Sequence, residues 1–340
     1  MATRKTVDGN VPIPRFSFNK SALKLVNKLI DDAESFAVTV EKFDCGATIV
    51  DAGLTARGGF QAGEIVTEIC QCGYGKARIM PIQYDAVVFP SVFVANDNPA
   101  QSILGSQFAG WHVQLEGFSA NGSGPGRALA KDPSDSFHTF LCGEESNVAV
   151  LLLETEQKPQ EDVVLQIAKK CGISPENLFL IVYSVASITG SIQACARVVE
   201  AGLLRLVQVG LDPLFVRHAW GYAPVVAFIS CADEVKERIR ASILSGGVAS
   251  YTVDFDDGRL QTMVSQAHGS ALKMFQEAKK LAVQNPLYKD LLKDAEIGVT
   301  EIEPNVVAPA LVTINSLKTG RSFSAGKIDF EALKRALGVT

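Results

Sequence analysis

Between Asn147 and Gly210 the chain alternates twice between an unbroken apolar run and a helix-like one, and no other feature restricts its possible folds so strongly. "NVAVLLLET" (147–155) and "NLFLIVYS" (177–184) are apolar at nearly every position rather than at alternate ones. A strand with one face in water alternates, whereas a strand that is apolar throughout has both faces covered. Between them, "PQEDVVLQIAKKCG" (159–172) carries acids early, lysines late and Gly172 at its end. That charge order suits a helix dipole, and glycine is a helix stop. "SIQACARVVEAGLLRLVQVG" (191–210) reads as the next helix. Strand, helix, strand, helix with buried strands predicts an α/β fold.

The flanking segments add elements without repeating this unit. "SALKLVNKLIDDAESFAV" (21–38) has the 3–4 spacing of an amphipathic helix, and "ATIVDAG" (47–53) reads as a short strand. "ARIMPIQ" (77–83) and "DAVVFPSVFVA" (85–95) are strand candidates broken by prolines. "GGVASYTVDFDDG" (246–258) reads as a strand and a turn. A lysine-rich helix interrupted by Pro286 is expected over 269–296, and a hairpin turning at Thr319-Gly320 over 308–328. The polar, proline-containing stretch 1–18 reads as a flexible arm, with 19–340 as the folded unit.

Composition narrows the function. With 340 residues, 47% hydrophobic and 20% charged, the chain can build a core without disulfide or metal staples. A net charge of -5 with dispersed lysines and arginines argues against nucleic acid as a partner but leaves room for a small anionic molecule. Seven scattered cysteines, mostly in apolar surroundings, suggest a reduced, cytoplasmic protein. Cys70 and Cys72 form a C-x-C with no second ligand pair, so no metal site is expected. The apolar runs are too short to cross a bilayer, and no membrane association is expected.

One pair of charges stands out. From Leu178 to Leu204 the only charged residues are Arg197 and Glu200. On a helix turning about 100° per residue, Ile192, Cys195, Val199, Leu203 and Leu206 form a core stripe. Gln193, Arg197, Glu200 and Leu204 form a second stripe beside it. An exposed i,i+3 ion pair is the plain interpretation. A stretch this apolar is largely enclosed, however, and enclosed charges need a reason to exist. The hydroxyl-rich "SVASITGS" (184–191), which contains Ser187, follows a buried strand at the end where open α/β sheets bind ligands. Glu200 as a general base aimed by Arg197 is the chemical reading.

Two further segments are candidates. "GSGPGRALA" (122–130) sets Ser123 and Gly124 ahead of Arg127, as a backbone anion cradle with added charge or simply as a tight turn before a helix. Its spacing matches neither a P-loop nor a dinucleotide fingerprint. "NPAQSILGSQFAGW" (98–111) offers Asn98, Ser106, Gln107 and Trp111 to a flat heteroaromatic ligand, or is a polar turn with a core tryptophan. The four histidines are isolated, and no G-x-S-x-G is present.

Taken in order, "CGATIVDAG" (45–53), "GGFQAGEIVTEIC" (58–70), "NPAQSILGSQFAGW", "GSGPGRALA", "PENLFLIVYSVASITGSIQACARVVE" (175–200), "VGLDP" (209–213), "GYAP" (221–224) and "PNVVAPA" (304–310) resemble the methenyltetrahydromethanopterin cyclohydrolase family. The order and spacing hold best over residues 20–230. "ASILSG" (241–246), "QAHGS" (266–270) and "IGVTEIE" (297–303) depart from the family pattern. The resemblance implies two α/β-type subdomains with an active-site cleft between them, interleaved in the chain with switches near 110–145 and 235–260. It implies hydrolysis of the methenyl bridge of a tetrahydromethanopterin-type pterin carrier to the N5-formyl form, with no cofactor and no metal. It also implies a homo-oligomer, dimer or trimer. The family's arginine–glutamate pair falls on Arg197 and Glu200. Gln193, Ser106, Gln107, Phe108, Trp111, Ser123, Gly124, Arg127 and Ser187 are the expected substrate-binding residues. The alternative is a divergent relative that binds a pterin-like carrier or a partner protein with little turnover.

Overall fold

A computed structural model of the chain describes residues 17–130, 144–226, 231–272 and 307–339. The expected arm up to residue 16 and most of the expected 269–296 helix lie outside these residues. The first elements are α1 (Phe18–Asp31), the one-turn α2 (Ala33–Phe36), β1 (Thr39–Lys42), β2 (Thr48–Gly53) and α3 (Phe60–Cys70). The hairpin β3 (Gly75–Tyr84) and β4 (Val87–Asn96) leads into a π-helical segment, Ala100–Gln107. Then come β5 (Trp111–Leu115), β6 (Phe118–Ser123), the short α4 (Arg127–Ala130), β7 (Ala149–Glu154), α5 (Glu161–Cys171) and β8 (Leu178–Tyr183). Helices α6 (Ile188–Cys195) and α7 (Val198–Gln208) precede β9 (Val216–Pro224), α8 (Ala232–Gly246), β10 (Val248–Val253) and α9 (Asp257–Ala267). The hairpin β11 (Leu311–Ser316) and β12 (Ser322–Gly326) and the helix α10 (Phe330–Leu337) complete the described chain.

The strands form two mixed six-stranded sheets, ordered β1-β2-β8-β7-β6-β5 and β12-β11-β10-β9-β4-β3. In the first, β2, β8 and β7 run parallel, as the strand–helix alternation predicts. Its buried runs have the expected cause. Ala149, Leu151 and Leu153 face a core with Val163, Val164 and Ile167 of α5, while Val150 and Leu152 face Val26 and Leu29 of α1 and Val66 and Ile69 of α3. Successive side chains point to opposite faces, so two covered faces demand an apolar residue at every position.

The second sheet packs one face against α6 to α9; β11 accordingly alternates between half-buried and buried positions, while the central β10 is buried at nearly every one. The prolines do not break β3 and β4, which pair through them. Pro81 lies directly opposite Pro90, and the Pro90 carbonyl accepts from the Val225 N–H at 2.8 Å, so Pro90 points its bonding side at β9 and the β3–β4 ladder asks neither proline for an N–H.

Three differences from the sequence expectations stand out. The single helix expected over 191–210 is two, parted at Ala196 and Arg197, where the Arg197 N–H reaches back only three residues, to the Ala194 carbonyl at 3.2 Å. The turn expected after residue 253 continues into α9, capped by the Asp256 side chain on the Gly258 N–H. The "NPAQSILGSQ" stretch is π-helical rather than a polar turn, as shown by the Phe108 N–H donating to the Ile103 carbonyl five residues back at 2.9 Å.

The two sheets are not consecutive in the chain. The chain passes between them after β2 through α3, after β4 through the π-helix, and after β8 through α6 and α7.

Candidate active site

Those three crossing segments meet at Arg197 and Glu200. The break between α6 and α7 makes Arg197 the N-cap of α7 and places Glu200 in its first turn, where the helix dipole favours an anion. Arg197 Nη1 lies 3.0 Å from Glu200 Oε2 and 3.2 Å from Oε1. The side chains are 17% and 8% exposed, so this is an enclosed pair and not a surface one. Burial works against the guanidinium's charge, but the facing Glu200 carboxylate outweighs it and Arg197 holds its proton more firmly than an ordinary arginine.

Each neighbour of the pair arrives on a different segment. Gln193, one turn back on α6, accepts from Arg197 Nε at 3.3 Å. Ser123 at the end of β6 accepts from Nη2 at 3.4 Å. Gln107 ends the π-helix and serves twice: its backbone carbonyl accepts from Arg197 Nη1 at 2.8 Å, and its side-chain Nε2 donates to Glu200 Oε2 at 3.0 Å. Cys70 at the end of α3 gives its thiol to Ser123 Oγ at 3.4 Å and accepts from Gln193 Nε2 at 3.5 Å. Burial pushes that thiol's pKa up, leaving it neutral. Helix α3 reaches this position because it packs tightly on α6. A Cβ at Gly63 would stand 2.7 Å from the Ile192 side chain.

Arg127 opens α4 after the glycine turn, one of the two readings of its sequence context, and its guanidinium is turned inward. It is 1% exposed, and its Nη1 donates to the carbonyls of Gly105 (3.2 Å), Ser106 (3.1 Å) and Phe108. The last carbonyls of a helix have no partner within it. Arg127 and Arg197 together take four consecutive ones, with Gly124 N–H adding a 2.8 Å bond to the Ser106 carbonyl. Arg127 therefore closes the π-helix, and the turn holding it needs a glycine. Gly124 has φ +102°, and a Cβ there would meet Leu152 at 2.7 Å. Ser106 is buried and ties its hydroxyl to the Cys70 carbonyl at 2.7 Å.

Of the remaining expected site residues, Phe108 is half-buried, with the Arg127 guanidinium 5.6 Å from its ring centre. Trp111 packs in the core beside α5, under Lys170 at 4.9 Å. Ser187 caps α6, accepting from the Gly190 N–H at 3.0 Å and donating to the Ser184 carbonyl at 2.7 Å. The structure thus gathers Gln193, Arg197, Glu200, Gln107 and Ser123 into one cluster. Ser106, Phe108, Gly124 and Arg127 support it, while Trp111 and Ser187 serve the core and a helix cap. Cys70, read from sequence only as half of a C-x-C, and Gln71, not singled out there, adjoin this cluster through Ser123, Gln193 and Gln107. Among the described residues no three His, Cys, Asp or Glu side chains are grouped as a metal ion requires.

The family model described as Cyclohydrolase (MCH) matches residues 17–337, through the C-terminal third where the motif resemblance was weakest. The methenyltetrahydromethanopterin cyclohydrolase of Methanocaldococcus jannaschii is 34% identical over 328 residues, covering 95% of this chain and 99% of that protein. That of Methanothermobacter marburgensis is 33% identical over 327 residues, with the same coverage. That of Methanospirillum hungatei is 34% identical over 322 residues, covering 95% and 99%. A match along nearly the whole chain places this chain in the methenyltetrahydromethanopterin cyclohydrolase family.

Proposed function

We propose that the chain hydrolyses the methenyl bridge of a tetrahydromethanopterin-type one-carbon carrier to the N5-formyl form. The relatives' names support the reaction. The observation that carries it here is the enclosed Glu200 carboxylate, whose oxygens face Arg197 and Gln107. The methenyl carbon lies between N5 and N10 of a cationic amidinium and is already electrophilic, so the step asks the protein mainly to activate and aim water. Water attacks that carbon as Glu200 takes one of its protons. The resulting carbinolamine collapses: the carbon–N10 bond breaks, its electron pair goes to N10, and N10 takes the proton held by Glu200. The hydroxyl proton leaves to solvent as the formyl C=O forms, so one water is consumed and one proton released. Arg197 fixes the carboxylate's position, and no cofactor enters the balance. Phe108, half-buried at the edge of the cluster, is the residue we assign to contact with the pterin.

Glu200→Gln tests the reading. It keeps the side chain's shape and removes the base, and positioned general bases contribute about 10²–10⁴-fold. Loss of the methenyl cation's near-ultraviolet absorbance should slow by that factor, while calorimetry still detects substrate binding. Turnover at the wild-type rate by this variant refutes the assignment.

A further inference from the structure

Behind Glu200 runs a file of buried amides that the proposed chemistry does not use. Gln107 Nε2 donates to Glu200 Oε2 at 3.0 Å, and Gln107 Oε1 accepts from Gln71 Nε2 at 2.7 Å. Gln71 Oε1 in turn accepts from Asn96 Nδ2 at 2.7 Å. Asn96 Oδ1 accepts from the backbone N–H of Asn98 at 2.8 Å, with the Ser102 hydroxyl 2.9 Å away. All three amides are buried.

The file has a direction. A primary amide accepts at its oxygen and donates at its nitrogen, so fixing one end of each fixes the other. A backbone N–H can only donate, and the one at Asn98 therefore makes Asn96 present oxygen backward and nitrogen forward. The same constraint passes to Gln71 and then to Gln107, whose nitrogen is left facing Glu200. The backbone makes room for this joint: a Cβ at Gly75 would lie 1.7 Å from Gln71 Oε1 and 2.9 Å from Asn96 Nδ2.

We propose that Asn96 and Gln71 are positioning residues that hold Gln107 as a donor to Glu200, the orientation that leaves the carboxylate ready to take a proton from water. This rests on the reading of Glu200 as the base. The charged and titratable groups around the pair are Arg197 on its own stretch, Cys70 from α3, Tyr183 from β8, Glu154 from β7 and Arg127 from α4. Burial raises the pKa of Cys70 and Tyr183, so both stay neutral in the working range. Arg197, the more distant Arg127, the N-terminus of α7 and the amide file then favour the ionised carboxylate, and Glu154 opposes it.

Gln71→Met removes the link without adding charge. Gln107 is then free to turn its oxygen toward a protonated Glu200, and the acid limb of the kcat/KM profile, which reports groups of the free enzyme, should move up by about one pH unit. Gln71→Glu accepts from Asn96 but cannot donate to Gln107, so it reverses the file and should move the limb further the same way. A role in packing alone lowers the rate equally at every pH and leaves the limb in place; that result overturns the proposal. A limb that moves in Gln71→Glu but not in Gln71→Met reports added charge only and overturns it as well. Should Gln71→Met not fold, Asn96→Leu removes the direction one amide earlier and carries the same expectation. Glu200→Gln separates the two claims. If it turns over normally, the reading of the base has failed; if it is inactive while the limb of Gln71→Met stays put, only the amide file has failed.

Discussion

Arg197→Met removes the guanidinium and keeps most of the stem's volume. At 3.0 Å, the attraction between Nη1 and Glu200 Oε2 is about 5–6 kcal/mol at an effective dielectric near 20. The bonds to Gln193, the Gln107 carbonyl and Ser123 are lost with it. Two things offset part of this: the pair sits at the edge of solvent, and Glu200 keeps its bond from Gln107. We expect a net loss of about 3–5 kcal/mol at neutral pH, the range for leaving one enclosed charge without its partner. The second arm of the cycle is Arg197→Met with Glu200→Met. With both charges gone, the apolar neighbours of α6 and α7 can close over the site, and stability should return to within about 1–2 kcal/mol of wild type. Urea unfolding with linear extrapolation measures all arms. A loss below about 1 kcal/mol in the single variant would mean the pair behaves like an exposed one. A double variant no more stable than Arg197→Met would refute the account of an enclosed, mutually dependent pair.

Two more predictions concern titrating groups. Asp51 accepts from the N–H groups of Gly53, Leu54, Thr55 and Ala56 and from the Thr55 hydroxyl. Burial opposes its charge, but these donors outweigh it and hold the carboxyl below the usual aspartate range. The stabilisation is therefore complete above the ordinary aspartate pKa and lost as pH falls through the lower folded value. Asp51→Ala should cost about 1–2 kcal/mol at neutral pH, and the gap from wild type should narrow below about pH 4 in urea titrations. Cys171 and Cys195 are buried, with thiols pushed up to about 12, and Cys70 and Cys72 are buried as well. A thiol reagent followed by peptide mapping should label exposed Cys231 and part-exposed Cys45 in the native protein, and those four only after unfolding.

What the sequence revealed follows from how each feature is encoded. The β7-α5-β8 unit was legible because burial on both faces writes an apolar residue at every strand position. Arg197 and Glu200 were legible because a charge in an apolar stretch has few reasons to be there. The break between α6 and α7 was not, since Ala196 and Arg197 are both good helix formers and only the approach of Arg197 to Gln107 and Ser123 gives the interruption a purpose. The π-helix was hidden because a shift in bonding from four residues to five leaves no periodic mark in eight residues. Helix α9 was read as a turn because "DFDDG" has turn composition, although its Asp256 is an N-cap. Asn96 and Gln71 escaped notice because an amide's role depends on what its two ends face, and those partners lie 25 and 36 residues apart in the chain.

The three crossings between the sheets also bear on how the chain becomes an enzyme. Arg197 and Glu200 lie three residues apart, but Gln107 reaches them across about ninety residues and Ser123 across more than seventy. A fragment holding β7, α5, β8, α6 and α7 contains the Arg197–Glu200 pair and lacks what holds it. Contacts of such long sequence separation form late, after loop closure has been overcome. During refolding, circular dichroism should recover before turnover does, because the cluster around Glu200 is assembled only once both sheets have been threaded and joined. Catalysis in this chain is the final report that its topology is complete.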